Sequence, residues 1–120
     1  MANNENLARE ALKTENTKAQ MRKGVLEMCI LGVISGEEVY TSDIIKRLKE
    51  ADLLVVEGTV YPLLTRLKNG GLLEYKWIES STGPPRKYYK ITPEGENLLN
   101  ELLESWAQLV KAVSQTTNNQ

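Results

Sequence analysis

The chain has no histidine, one cysteine and no apolar run long enough to cross a bilayer. Without histidine it lacks the commonest general base and the commonest transition-metal ligand, and neither a cysteine cluster nor a glycine-rich phosphate loop stands in. No catalytic residue, metal ligand or cofactor is expected. Cys29 stands alone within VLEMCILGVI, which excludes a disulfide framework and reads as a buried thiol. The opening MANNENLAREALKTEN lacks the charged start and hydrophobic core of a signal sequence, so a soluble, cytoplasmic protein without a membrane partner is expected. The carboxylates Glu94, Glu96, Glu101 and Glu104 fall in helix-forming sequence and read as surface charge and dipole partners.

With 120 residues, 41% of them hydrophobic, the chain supports one domain with a modest core. The net charge of −1 is unevenly spread: residues 41–90 carry nine basic and six acidic side chains, residues 1–40 five and six, residues 91–120 one and four. A basic middle between acidic ends fits one surface that meets phosphate and another that does not.

The segment GTVYPLLTRL, Gly58 to Leu67, places Val60, Leu63, Leu64 and Leu67 on one apolar helix stripe. Tyr61, Thr65 and Lys68 share the opposite face, with Pro62 and Arg66 beside them. Pro62 is read as sitting in the first turn, and Gly70-Gly71 as the left-handed stop. Before this helix, residues 1–17 form a polar arm or tail, and an apolar helix runs from about Lys18 to Ser35, ended by Gly36. A second helix, capped by Thr41 or Ser42, carries Ile44, Ile45 and Leu48 inward as far as about Ala51, and Leu53 to Val56 bridge to the third.

Leu72 to Glu79 are strand-like, with Leu73, Tyr75 and Trp77 alternating against Glu74 and Lys76, Ser80 to Pro85 form the turn, and Arg86 to Ile91 return. Trp77 and the Tyr88–Tyr89 pair read as packing residues, one tyrosine inward and one partly exposed. Thr92 and Pro93 open a last helix as hydroxyl cap and first-position proline. Within it Leu99, Leu102, Trp106, Leu109 and Val113 are spaced as a coiled-coil seam, read as the dimerisation face.

The fold class expected is mainly α with a small β-hairpin: a winged helix-turn-helix over residues 18–91, a C-terminal dimerisation helix over 92–115 and a polar tail over 116–120. Its outward residues point to double-stranded DNA as partner. Arg66 is shaped for bidentate recognition, Thr59 and Tyr61 suit phosphate oxygens, and Arg86 and Lys87 follow the Pro-rich turn at the wing. A winged-helix protein-interaction module without DNA binding is the alternative.

GTVYPLLTRLKNGGLL and GPPRKYYKITPEG together resemble the hallmark stretches of the PadR-like transcriptional regulators, and the likeness extends from about Met21 to Val113. The resemblance implies a homodimeric bacterial repressor whose recognition helix approaches DNA through Thr59, Tyr61 and their neighbours, with Arg86 and Lys87 in the wing. The single last helix is similar to that of the short, multidrug-binding members. There a tryptophan matching Trp106 stacks a small planar ligand between subunits. Many members have Gly-Tyr where this chain has Thr41-Ser42.

Overall fold

A computed structural model of the chain describes residues 3–53 and 55–118. Residues 1–2 of the expected arm, 119–120 of the expected tail, and position 54 in the expected bridge lie outside the described residues. Seven elements follow in order: α1 Asn4–Ile34, β1 Val39–Tyr40, α2 Thr41–Glu50, α3 Glu57–Asn69, β2 Leu73–Ser80, β3 Gly83–Ile91 and α4 Pro93–Thr117.

Helix α1 is longer than its apolar pattern. The Asn3 side chain accepts from the Asn6 N–H at 2.9 Å, Glu5 occupies the first turn, and Thr14 and Thr17 return their hydroxyls to carbonyls four residues back. Strong helix formers (Ala, Leu, Glu, Lys, Arg) then carry it through residues 4–17 with every side chain exposed. The arm is thus helical and continuous with the core segment, where Leu26, Ile30, Leu31 and Ile34 are buried.

Helices α2 and α3 complete the three-helix layer with Ile44, Ile45, Leu48, Val60, Leu64 and Leu67, each fully buried aliphatic side chain contributing about 1.5–3 kcal/mol. Two expectations are corrected here. Tyr40, not Thr41 or Ser42, is the α2 cap residue, with no side-chain cap bond; the Thr41 hydroxyl instead donates to the Lys87 carbonyl at 3.0 Å, tying α2 to the sheet. Pro62 lies inside α3, because the helix opens at Glu57 and not after it, so its missing N–H removes an intrahelical bond.

The sheet has three strands in the order β1-β3-β2, not the two expected. The two-residue β1 is too short to leave a periodic signal, yet it pairs Val39 with Tyr89 and Tyr40 with Tyr88. The hairpin turns at residues 81–82, and Gly83, Pro84 and Pro85 belong to β3. Both prolines are tolerated because β1 stops short of them, leaving that edge without a ladder partner. Burial also differs from the alternation: Leu73 is enclosed, but Tyr75 is 39% and Trp77 62% exposed, because the hairpin extends beyond the helices that cover its base. Tyr89 is buried and Tyr88 half-buried, as their adjacent positions dictate.

Thr92 opens α4 as the sequence predicts. Its hydroxyl accepts from the Gly95 N–H at 3.0 Å and donates to the Gly71 carbonyl at 2.7 Å, while its N–H reaches the Leu72 carbonyl at 3.1 Å. Gly71, at φ 78°, takes the left-handed turn that ends α3. Gly95 is buried against the same corner: a Cβ there would stand 2.2 Å from the Leu72 carbonyl oxygen and 2.6 Å from Ile91 Cγ1. Gly95→Ala should therefore lower stability by about 2–3 kcal/mol, a melting temperature fall of roughly 10 °C followed by circular dichroism.

Candidate nucleic-acid interface

Burial of Val60, Leu64 and Leu67 fixes the rotation of α3, and Thr59, Tyr61, Pro62, Thr65, Arg66 and Lys68 are consequently exposed. Two of the cations are held by neighbours. The Arg66 guanidinium forms an ion pair with the Glu27 carboxylate of α1. Lys68 Nζ lies 5.4 Å from the Tyr75 ring centroid, so the end of α3 meets the wing. A groove of about 440 Å³ runs between α1 and α3, lined by Lys23, Gly24 and Glu27 on one side and by Gly58, Thr59, Pro62, Leu63 and Arg66 on the other.

The hairpin presents a different cation on each face, as strand alternation requires. On one, Arg86 lies 5.0 Å over the Tyr40 ring, which is itself 5.6 Å from Tyr88. On the other, Lys87 Nζ lies 4.0 Å from the Tyr75 centroid, 5.2 Å from Tyr89 and 5.8 Å from Trp77. Lys87 is half-buried among these rings, so Arg86 is the more open of the two wing cations. Lys76 is paired to Glu38 at 2.8 Å, bracing the wing base against the turn before β1.

Sequence reasoning missed Glu27, Tyr40, Tyr75 and Trp77 as parts of this surface. Glu27 sits in an apolar run where its charge alone stood out, and its partner is thirty-nine residues away. Tyr40 carries no sequence signal of its own, and the alternation of Tyr75 and Trp77 is equally that of a covered strand, where Trp77 reads as packing. The position of Trp77 beyond the covering helices is a tertiary fact that no local pattern carries.

At the other end of the molecule, α4 leaves the core. Leu99 is only 6% exposed and belongs to the chain's own core, and Leu102 packs against it, so Leu99 is not free for a second chain as expected. Its N-terminal turns fall where α1, β3 and α4 converge. Beyond them Leu103, Trp106, Leu109, Val110 and Val113 are exposed, Trp106 by 43%. Trp106, Leu109, Val110 and Val113 line a cavity of about 600 Å³ with Met21, Gly24 and Val25 of α1. Gly24 therefore borders both this cavity and the groove beside α3. Cys29 is half-buried, and desolvation pushes its thiol above its ordinary range, which favours the protonated, unreactive form.

Three helices, a short first strand and a projecting hairpin define a winged helix-turn-helix protein. A profile described as the Transcriptional regulator PadR-like family matches residues 30–101. The chain belongs to that family, and it is a transcription regulator. A PadR-like transcription factor from Bacteroides fragilis is 59% identical, with a TM-score of 0.71, over 85% of this chain and 99% of that one. A PadR-like transcriptional regulator from Bacillus cereus is 43% identical (TM-score 0.74; 84% and 99% covered). A PadR family regulator from Eggerthella lenta is 28% identical with a TM-score of 0.83, covering 95% of this chain and 99% of its own. An uncharacterised protein from Lysinibacillus sphaericus is 27% identical over 99 residues, 80% of this chain and 91% of that protein.

Proposed function

We propose that the protein is a homodimeric repressor that binds operator DNA in the cytoplasm through α3 and the wing, and is released by a planar ligand held beside Trp106. The observation that carries the DNA reading is the exposed row on α3, from Thr59 to Lys68, flanked by the open Arg86 of the wing. Polar side chains of this kind, set on a helix whose back is locked into a core, meet phosphates and base edges in the major groove. On that reading Tyr61 and Thr59 take phosphate oxygens, Arg66 and Lys68 follow the backbone or a base edge, and Arg86 reaches the flanking backbone. The test is titration of duplex from upstream of its own gene at several salt concentrations. Arg86→Ala should weaken binding across sequences and reduce the salt slope by about one. Unchanged binding with a lowered melting temperature would assign Arg86 to the fold, and no salt-dependent duplex binding by the wild type would favour the protein-interaction module.

Dimerisation is supported by the apolar side chains that the chain leaves uncovered on α4, Leu103, Trp106, Leu109, Val110 and Val113, together with Met21 of α1. A continuous patch of this kind is commonly an interface. A two-fold dimer would set its two reading helices about 34 Å apart, one turn of duplex. Sedimentation at micromolar concentration should give a dimer; a well-folded monomer would reject it.

The ligand reading rests on the cavity of about 600 Å³ beside Trp106, a size suited to a drug-sized molecule, with an indole on its wall. A flat apolar or cationic compound can stack there, an aromatic pair adding about 0.5–1.5 kcal/mol beyond area burial. Trp77 is 62% exposed, so Trp77→Phe should leave stability nearly unchanged and leave Trp106 as sole reporter. Planar dyes should then quench its fluorescence saturably and loosen the DNA complex. Quenching that never saturates would make Trp106 an ordinary interface residue.

A further inference from the structure

We propose that Glu27 is a positioning residue for DNA reading: its carboxylate holds the Arg66 guanidinium so that the remaining N–H groups meet a phosphate oxygen. The proposal rests on the reading of α3 as the DNA-contacting helix. Glu27 lines the groove between α1 and α3, and its Oε1 is enclosed, with Arg66 as its ionic partner and no hydrogen bond from any described residue. The two partners are unequally exposed: the Glu27 side chain by 33%, the Arg66 side chain by 67%. The carboxylate is therefore the anchored end and the guanidinium the presented one. Arginine carries five N–H donors in a planar fork, and a carboxylate engages at most one edge of it. Arg66 is exposed together with Thr59 and Pro62, which line the same groove, so its free edge is the one left for phosphate. An arginine already held in one rotamer loses less freedom when it meets DNA, which is how a partner that never touches the phosphate raises affinity.

Two effects of removing Glu27 have opposite signs, and this makes the proposal decidable. Long-range electrostatics alone favours the variant, because a negative charge near phosphate is lost. Loss of positioning disfavours it. In the full-length protein, Glu27→Ala and Arg66→Ala should each weaken binding to the upstream duplex about three- to tenfold, the scale of one hydrogen bond. Each should lower the salt slope by about 0.9, the share of one phosphate contact. Glu27→Gln, which keeps an acceptor oxygen, should fall between wild type and Glu27→Ala, and the double variant should be no weaker than Arg66→Ala alone. Thermal melts of every variant accompany the titrations. Tighter binding by either Glu27 variant, an unchanged salt slope with a lowered melting temperature, or loss of folding in all of them would overturn the proposal. Absence of salt-dependent duplex binding by the wild type would overturn the DNA reading itself, whereas wild-type binding with unaffected variants would overturn only the part assigned to Glu27.

Discussion

The corner formed by Gly71, Leu72, Thr92 and Gly95 holds the reading helix, the wing and the last helix in one arrangement. The Leu72 N–H closes on the Leu67 carbonyl of α3 at 2.9 Å, and the Leu72 carbonyl accepts from Thr92 where β3 passes into α4. The Thr92 hydroxyl then spends both of its capacities, one on Gly71 and one on Gly95. Four elements thus meet through backbone groups, and the missing side chain of Gly95 is what lets α4 come close enough. A loosened corner would let the wing swing relative to α3, with every residue of the reading surface still present. The constraint is geometric before it is energetic.

Helix α1 is the second shared member. Its buried side chains complete the core; Ser35 at its end donates to Glu96 of α4 at 2.8 Å; and Glu27, two turns earlier, pairs with Arg66 of α3. Ser35 beside Glu96, and Met21 beside Val110 and Val113, mean that α1 and α4 run antiparallel. The arm from Asn4 continues outward past this pairing with Leu7 and Leu12 exposed. Because Gly24 borders the Trp106 cavity and the α3 groove alike, one turn of α1 backbone separates the two.

The fold was legible wherever local chemistry and tertiary packing agree. The α3 stripe, the Thr92-Pro93 helix start, the Tyr88–Tyr89 division and the order of helices all follow from periodicity and capping, and the structure has each of them. Three of the misreadings share one cause: a local rule was outvoted by a distant partner. Thr41 has the chemistry of a cap, yet a β3 carbonyl takes its hydroxyl. Strand alternation over Tyr75 and Trp77 is genuine, yet the helices that would cover it end too soon. Leu99 repeats with the seam residues, yet the first turns of α4 lie on the core and only the later ones leave it. Of the candidate site, the exposed face of α3 was readable, but the partners that orient its cations were not, because ion pairs and ring contacts depend on the fold.

Those partners also explain how a chain of net charge −1 can present a basic surface. Three cations of the 41–90 segment are matched by carboxylates from the first forty residues: Arg47 by Glu37, Lys76 by Glu38 and Arg66 by Glu27. Exposed pairs of this kind add little stability, so their effect is mainly to fix side-chain positions. Lys68, Arg86 and Lys87 are handled differently, each lying over an aromatic ring and none in an ion pair among the described residues. A ring positions a cation through its quadrupole and the apolar stem, and it leaves the charge unneutralised. The aromatic residues of the sheet therefore do for Lys68, Arg86 and Lys87 what a carboxylate does for Lys76, without surrendering the field that attracts phosphate.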